Sequence, residues 1–137
     1  MNAKNHQGGD QEKKILIVDD DPIILKTLER ILLSEGYCVA KAVNGKDALY
    51  IADDFLPNVI ILDIMMPVMD GTITVEYLEK NPRTRNIPVL FLSSLISKKE
   101  ELLKFAKDRC FLAKPIDRDK LLREIENCLE KRSKNNT

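Results

Sequence analysis

The stretch ILIVDDDP, residues 15–22, places four apolar residues directly before three aspartates and a proline. A short, continuous, β-branched apolar run is typical of a strand that is buried on both faces of a parallel sheet. Pro22 and the helically spaced apolar residues after it indicate that a helix begins here. Because adjacent carboxylates repel one another, we expect a cation or solvent to offset the charge of the three aspartates.

Strands and helices alternate along the rest of the chain. Four further apolar runs predict strands: YCVAKAV (37–43), NVIILD (58–63), IPVLFLSS (87–94) and CFLAK (110–114). Four segments predict further helices: NGKDALYIADD (44–54), GTITVEYLEKN (71–81), KKEELLKFAK (98–107) and DRDKLLREIENCLEKR (117–132). Parallel strands need crossover connections, so this alternation predicts an α/β fold with helices on both faces of the sheet. The second strand is the less apolar one, so we expect it nearer the sheet edge.

Length and charge limit the classes of protein that fit. The 137 residues suit one domain, which we place at 13–132, with flexible tails at 1–12 and 133–137. Its 22 basic and 22 acidic side chains argue against direct DNA binding, which usually needs a basic surface. No apolar run approaches the ~18 residues needed to cross a membrane. Cys38, Cys110 and Cys128 lack C-x-x-C spacing and are interpreted as reduced core or half-core residues of a cytoplasmic protein.

Polar side chains stand at the carboxyl ends of the predicted strands, where sites form in such sheets. Asp19 and Asp20 follow the first strand, Asp63 ends the third, Ser93 lies at the end of the fourth, and Lys114 ends the fifth. Clustered carboxylates suit Mg²⁺ or Mn²⁺. A lysine and a hydroxyl suit phosphoryl oxygens, and an aspartate held between metal and lysine can attack phosphorus. The pattern therefore predicts a metal-dependent aspartyl-phosphate site.

Each of these residues also has an ordinary structural interpretation when it is taken alone. Asp21 is best interpreted as the cap and first turn of a helix. Asp63 alone would be a solvated loop residue, Lys114 a surface lysine and Ser93 a helix cap. Their joint placement at the strand ends of one sheet favours the functional interpretation.

These motifs resemble the receiver domains of two-component response regulators, over about residues 13–131. ILIVDDDP resembles the acidic end of the family's first strand, and NVIILDIMMPVMDG (58–71) is very similar to its phosphoacceptor segment. The segments NGKDAL, IPVLFLSS and FLAKPID also match in order. The resemblance implies a three-layer, doubly wound (βα)5 flavodoxin-like fold whose five parallel strands lie in the order 2-1-3-4-5.

The resemblance also assigns the acidic residues. Asp63 would be the residue that is phosphorylated. Asp20 would coordinate Mg²⁺ (or Mn²⁺) directly, Asp19 would act mostly through water, and Met65 would contribute its backbone carbonyl.

The remaining roles concern the phosphoryl group and the switch. Ser93 and Lys114 would bind the phosphoryl oxygens, and the bond from Lys114 to Pro115 is expected to be cis. Phe111 stands at the family's switch aromatic, which is often Tyr. The segment between Ser93 and Lys114 is about one residue shorter than in the family.

The implied function is that of a regulatory phosphoacceptor rather than an enzyme. The donor would be a phosphohistidine on a sensor kinase or phosphotransfer protein. The switched surface would comprise the helix predicted at 98–107, the fifth strand and the final helix, for partner binding, relay or phosphorylation-dependent homodimerisation. Only a few polar residues follow the final helix, so we expect a stand-alone receiver; the alternative is a piece of a larger regulator.

Other function classes remain open. A phosphatase that works through an aspartyl phosphate would use Asp19 as nucleophile and Asp21 as acid, although Pro22 replaces the expected Thr or Val. A non-phosphorylated interaction module of the same fold is a further alternative. An FMN carrier fits less well, because no Gly- and Ser/Thr-rich phosphate loop follows the first strand.

Overall fold

The computed structural model describes residues 12–64, 66, 69–93 and 110–135, with side chains as far as residue 131. The strands are β1 (Lys14–Val18), β2 (Cys38–Ala42), β3 (Val59–Asp63), β4 (Val89–Ser93) and β5 (Cys110–Ala113). The helices in the described residues are α1 (Pro22–Ser34), α2 (Gly45–Phe55), α3 (Gly71–Lys80) and the C-terminal helix α4 (Arg118–Asn135).

The five strands form one parallel sheet in the order β2-β1-β3-β4-β5. This confirms the predicted α/β fold and strand order. It also confirms that the second strand lies at an edge of the sheet. Because all strands run in the same direction, their carboxyl ends meet along one rim of the sheet.

The continuous apolar sequence of β1 reflects burial on both faces of the sheet. Ile15 and Ile17 belong to one core cluster, together with apolar residues of α1 and the C-terminal helix. Leu16 and Val18 point into a second cluster, together with residues of α2 and α3. Successive residues of a strand face opposite sides, so a strand covered on both sides needs apolar residues at every position.

Helix α1 begins as the sequence predicts. The carboxylate of Asp21 accepts a hydrogen bond from the backbone N–H of Ile23 at 2.9 Å, and Pro22 occupies the first helical position. The chain leaves the helix through Gly36, whose φ of 89° is in the left-handed region that favours glycine. The interpretation of Asp21 as a helix cap is therefore confirmed.

Helix α3 forms despite four consecutive β-branched residues, 72–75. The Asp70 carboxylate accepts hydrogen bonds from the backbone N–H groups of Thr72 and Ile73, at 3.0 and 3.1 Å. Thr74 and Val75 are buried, and Val75 belongs to the second core cluster. Capping and burial thus outweigh the low helix propensity of β-branched side chains.

One predicted helix end differs from the structure, and one predicted helix lies outside the described residues. The C-terminal helix continues to Asn135, so it extends beyond residue 132, where we placed the end of the domain. The helix predicted at 98–107 lies outside the described residues. None of the described helices combines the length and apolar character needed to cross a membrane.

Replacing Leu28 tests the contribution of α1 to the core. Leu28 is fully buried in the first core cluster, whereas Leu33 in the same helix is 53% exposed. We expect Leu28→Ala to lower the free energy of unfolding by about 2–5 kcal/mol, because it removes buried methyl groups and leaves a cavity. Leu33→Ala is the matched control and should change it by less than about 0.5 kcal/mol. Urea unfolding measures both, and equal losses would contradict this packing.

Candidate functional site

The rim at the carboxyl ends of the strands brings the predicted polar residues together. Asp19 directly follows β1, Asp63 is the last residue of β3, and Ser93 is the last residue of β4. Lys114 directly follows β5, and its backbone N–H donates a hydrogen bond to the Ser93 carbonyl at 2.9 Å. Residues from four strands therefore reach one location, as the sequence predicts.

Three carboxylates form the acidic part of this site. One oxygen from each of Asp19, Asp20 and Asp63 lies within 4.8 Å of the other two. Asp19 and Asp63 are buried, and Asp20 is exposed. The backbone N–H of Asp21 donates a hydrogen bond to Oδ1 of Asp19 at 2.9 Å, which fixes one side of this carboxylate. The cluster thus has a buried floor and an open side at Asp20.

The second oxygen of Asp19 is the least satisfied polar atom of the cluster. Oδ2 is buried, and among the described residues no donor meets it at hydrogen-bonding angles. Its charge is met instead by the ammonium of Lys114, at 2.9 Å. Because this buried oxygen is paired mainly through charge, it keeps lone pairs that no donor occupies. Such an oxygen, beside two further carboxylates, has the chemistry of a ligand for a hard divalent cation.

Lys114 supplies the positive charge that the three aspartates require. Its Nζ lies 2.9 Å from Oδ2 of Asp19 and 3.6 Å from Oδ2 of Asp63, and its side chain is 17% exposed. Burial by itself would lower the pKa of Lys114, but the contact with Asp19 and the charge of Asp63 outweigh burial and raise it. Lys114 is therefore an ammonium ion at neutral pH, and it lies closer to Asp19 than to Asp63.

Gly71 has a role at the site that sequence reasoning missed. Its backbone N–H donates to the Ile64 carbonyl at 2.9 Å, closing the connection that follows Asp63. A Cβ at Gly71 would lie 2.9 Å from both the Asp63 carbonyl oxygen and Cα of Ile64. Only glycine fits this approach of α3 to the strand end. The Asp-Gly pair at the start of a helix was the signal available in the sequence.

The structure also describes Ser93, Phe111 and Pro115, three further residues that the sequence singles out. Ser93 is buried at the end of β4, and the Lys114–Pro115 peptide bond is cis. Phe111 is half-buried, lies beside Phe91 of β4 and packs against the second core cluster. Met65 lies outside the described residues.

Comparisons with known proteins agree with this fold. The family model described as response regulator receiver domain matches residues 15–126. The chain is 39% identical over 105 residues to response regulator PleD of Caulobacter vibrioides, covering 76% of this chain but only 23% of PleD. It is 36% identical over 118 residues to protein PilG of Pseudomonas aeruginosa, covering 82% of this chain and 84% of PilG.

A solved structure is similar over nearly the same length. The receiver domain of sensor histidine kinase PA1611 from Pseudomonas aeruginosa, which has a magnesium ion coordinated in its active site cleft, superimposes with a TM-score of 0.78. The identity is 27%, covering 88% of this chain and 99% of that one. Together, the fold, the acidic rim and the family match over residues 15–126 show that this chain belongs to the response regulator receiver domain family of two-component signalling.

Proposed function

We propose that this chain is a phosphorylation-controlled switch that accepts a phosphoryl group on Asp63 from a phosphohistidine. The observation that carries the proposal is the position of the Asp63 carboxylate. It lies among two other carboxylates, with the Lys114 ammonium 3.6 Å from its Oδ2. The donor would be a sensor kinase or a phosphotransfer protein, in the cytoplasm.

Asp19, Asp20 and Asp63 would hold a divalent cation, Mg²⁺ or Mn²⁺. The fit rests on the three oxygens within 4.8 Å and on the buried Oδ2 of Asp19. The magnesium ion in the PA1611 receiver supports the same assignment. We propose the carbonyl of Met65 as a further ligand. When bound, the cation supplies positive charge that stabilises the charge of the transferring phosphoryl group.

The contacts of Asp19 and Asp21 favour Asp63 as the phosphoacceptor. Asp19 is fully buried, with Oδ1 held by the backbone of Asp21 and Oδ2 by Lys114. The Asp21 carboxylate caps α1, so it is engaged away from the role of a general acid. These contacts count against the phosphatase alternative, in which Asp19 is the nucleophile and Asp21 the acid.

The transfer step follows from the charges around Asp63. One Asp63 carboxylate oxygen forms a bond to phosphorus while the phosphorus–nitrogen bond of the phosphohistidine breaks, and the electron pair returns to the imidazole. Lys114 offsets negative charge next to the attacking oxygen. The phosphoryl group of the product carries about −1.5 to −2 charge at neutral pH, in place of the single negative charge of the carboxylate.

Phosphorylation would cause a conformational change that reaches the protein surface. The Ser93 hydroxyl would donate to a phosphoryl oxygen, and the half-buried Phe111 ring would turn inward beside it. This shifts an existing equilibrium between two arrangements. The readout surface would be β5, the C-terminal helix and the helix predicted at 98–107, which would bind a protein partner, relay the group or form a homodimer.

Substitution of Asp63 tests the phosphoacceptor. The full chain is incubated with acetyl phosphate and MgCl₂, and the intact mass is measured. We expect the mass of one phosphoryl group to be added to the wild-type chain and to Asp54→Asn, the matched control at an exposed aspartate of α2. Asp63→Asn, or the wild type with excess EDTA, should gain none. Equal addition to Asp63→Asn would rule out the proposal.

Replacing Lys114 tests its charge in the transfer step. We expect Lys114→Met to slow phosphorylation by acetyl phosphate about 100-fold, because it removes the positive charge beside the attacking oxygen. Lys120→Met, at an exposed lysine of the C-terminal helix, is the matched control. The time course of intact mass gives both rates, and circular dichroism verifies the fold. A wild-type rate for Lys114→Met would contradict the assigned role.

The raised pKa of Lys114 predicts how stability depends on pH. The folded chain holds the Lys114 proton more tightly than the unfolded chain, so the stabilisation is complete below the ordinary lysine pKa of about 10.4. It is lost as the pH rises through the higher folded pKa. We therefore expect the stability advantage of wild type over Lys114→Met, from urea unfolding, to be constant up to about pH 10 and to shrink above it. A constant advantage at every pH would contradict this.

A further inference from the structure

Two buried cysteines meet between β5 and the C-terminal helix. Cys110 is the first residue of β5, and Cys128 lies in the C-terminal helix. Their Sγ atoms are 2.7 Å apart, and both are free thiols in this structure. Cys110 is 8% exposed and Cys128 is fully buried. The third cysteine, Cys38, is half-buried at the start of β2, the opposite edge of the sheet.

The surrounding core holds the two thiols against each other. Leu112 of β5 and Leu121 and Ile125 of the helix belong to the same buried cluster as both cysteines. The two sulphur atoms are therefore direct neighbours inside this cluster. A disulfide has a sulphur–sulphur distance of about 2.05 Å, so a movement of under about 1 Å would close the bond.

The two cysteines differ in how readily they lose a proton. The thiol of Cys128 donates a hydrogen bond to the sulphur of Cys110, which lowers the pKa of Cys110 to about 7 against the opposing effect of burial. Lys131 lowers it further, and Glu124 raises it. The same hydrogen bond and burial raise the pKa of Cys128, which stays protonated. Thiolates, rather than thiols, react with peroxides.

We propose that Cys110 and Cys128 form a reversible intramolecular disulfide when the protein meets hydrogen peroxide. The Cys110 thiolate attacks one peroxide oxygen, the oxygen–oxygen bond breaks, and hydroxide leaves, giving a sulfenic acid. The Cys128 sulphur then attacks the Cys110 sulphur, its proton joins the departing hydroxyl as water, and the disulfide forms. Two thiols and one peroxide give one disulfide and two waters, and an added dithiol reverses the change.

The disulfide would fasten the C-terminal helix to the strand that leads to Lys114. Phe111 directly follows Cys110, and Lys114 lies four positions after Cys110. Oxidation would therefore restrict part of the proposed readout surface. That consequence rests on the proposed function, whereas formation of the disulfide does not.

The test oxidises the full-length chain with hydrogen peroxide and counts free thiols by alkylation under denaturing conditions. We expect three alkylated cysteines before oxidation, only Cys38 after it, and three again after treatment with dithiothreitol. Arg118, Lys120 and Arg123 separate the two cysteines, so trypsin leaves them in different peptides. A nonreduced digest should contain those two peptides joined by the disulfide. The melting temperature of the oxidised chain should be higher by up to about 10 °C.

Three variants complete the design. Cys38→Ser should keep the cross-linked peptide, while Cys110→Ala and Cys128→Ala should each lose it. Circular dichroism identifies either alanine variant that fails to fold, and the wild-type digest remains decisive in that case. Three alkylatable thiols after oxidation, a cross-link through Cys38, or sulfinic acid at Cys110 would overturn the proposal. None of these measurements requires phosphorylation, so failure here is distinct from failure of the proposed function.

Discussion

The mutual repulsion of carboxylates at the ends of β1 and β3, offset by the ammonium of Lys114, is the constraint on which the site depends. Lys114, which follows the edge strand β5, lies 2.9 Å from Asp19 and 3.6 Å from Asp63. A single ammonium group therefore contacts the carboxylates at the ends of both β1 and β3. Without it, two buried carboxylates would face each other and the exposed Asp20 in a medium that screens charge poorly. The positive charge of Lys114 also attracts an incoming anion to the site.

The parallel sheet brings these charged groups together, because the carboxyl ends of all its strands lie on the same edge. The register places Asp63 beside Leu92 and Ser93 beside Ala113, so the last residues of neighbouring strands are offset by no more than one position. Burial of all of β3, and of β1 after its first residue, anchors the rim from below. Gly71 then lets α3 start against the backbone of Asp63, where any side chain would collide. Rigid strands and a tight helix start hold the acidic groups in place.

Much of this arrangement could be predicted because it depends on local pattern. Continuous apolar runs identified the strands, and Asp21 with Pro22 identified the start of α1. Other features depend on contacts between distant segments, which spacing does not encode. The preference of Lys114 for Asp19 over Asp63, the steric need for Gly71, and the contact of Cys110 with Cys128 across 18 positions are of this kind. The extension of the C-terminal helix to Asn135 was missed because its last residues are polar.

Locating the phosphoryl group on the chain decides whether Asp63 is the phosphoacceptor. Borohydride reduces an aspartyl phosphate to homoserine, which marks the modified residue permanently. The wild-type chain is treated with acetyl phosphate and MgCl₂, reduced, digested and sequenced by tandem mass spectrometry. We expect homoserine at position 63 alone. Homoserine at position 19, or at neither position, would contradict it.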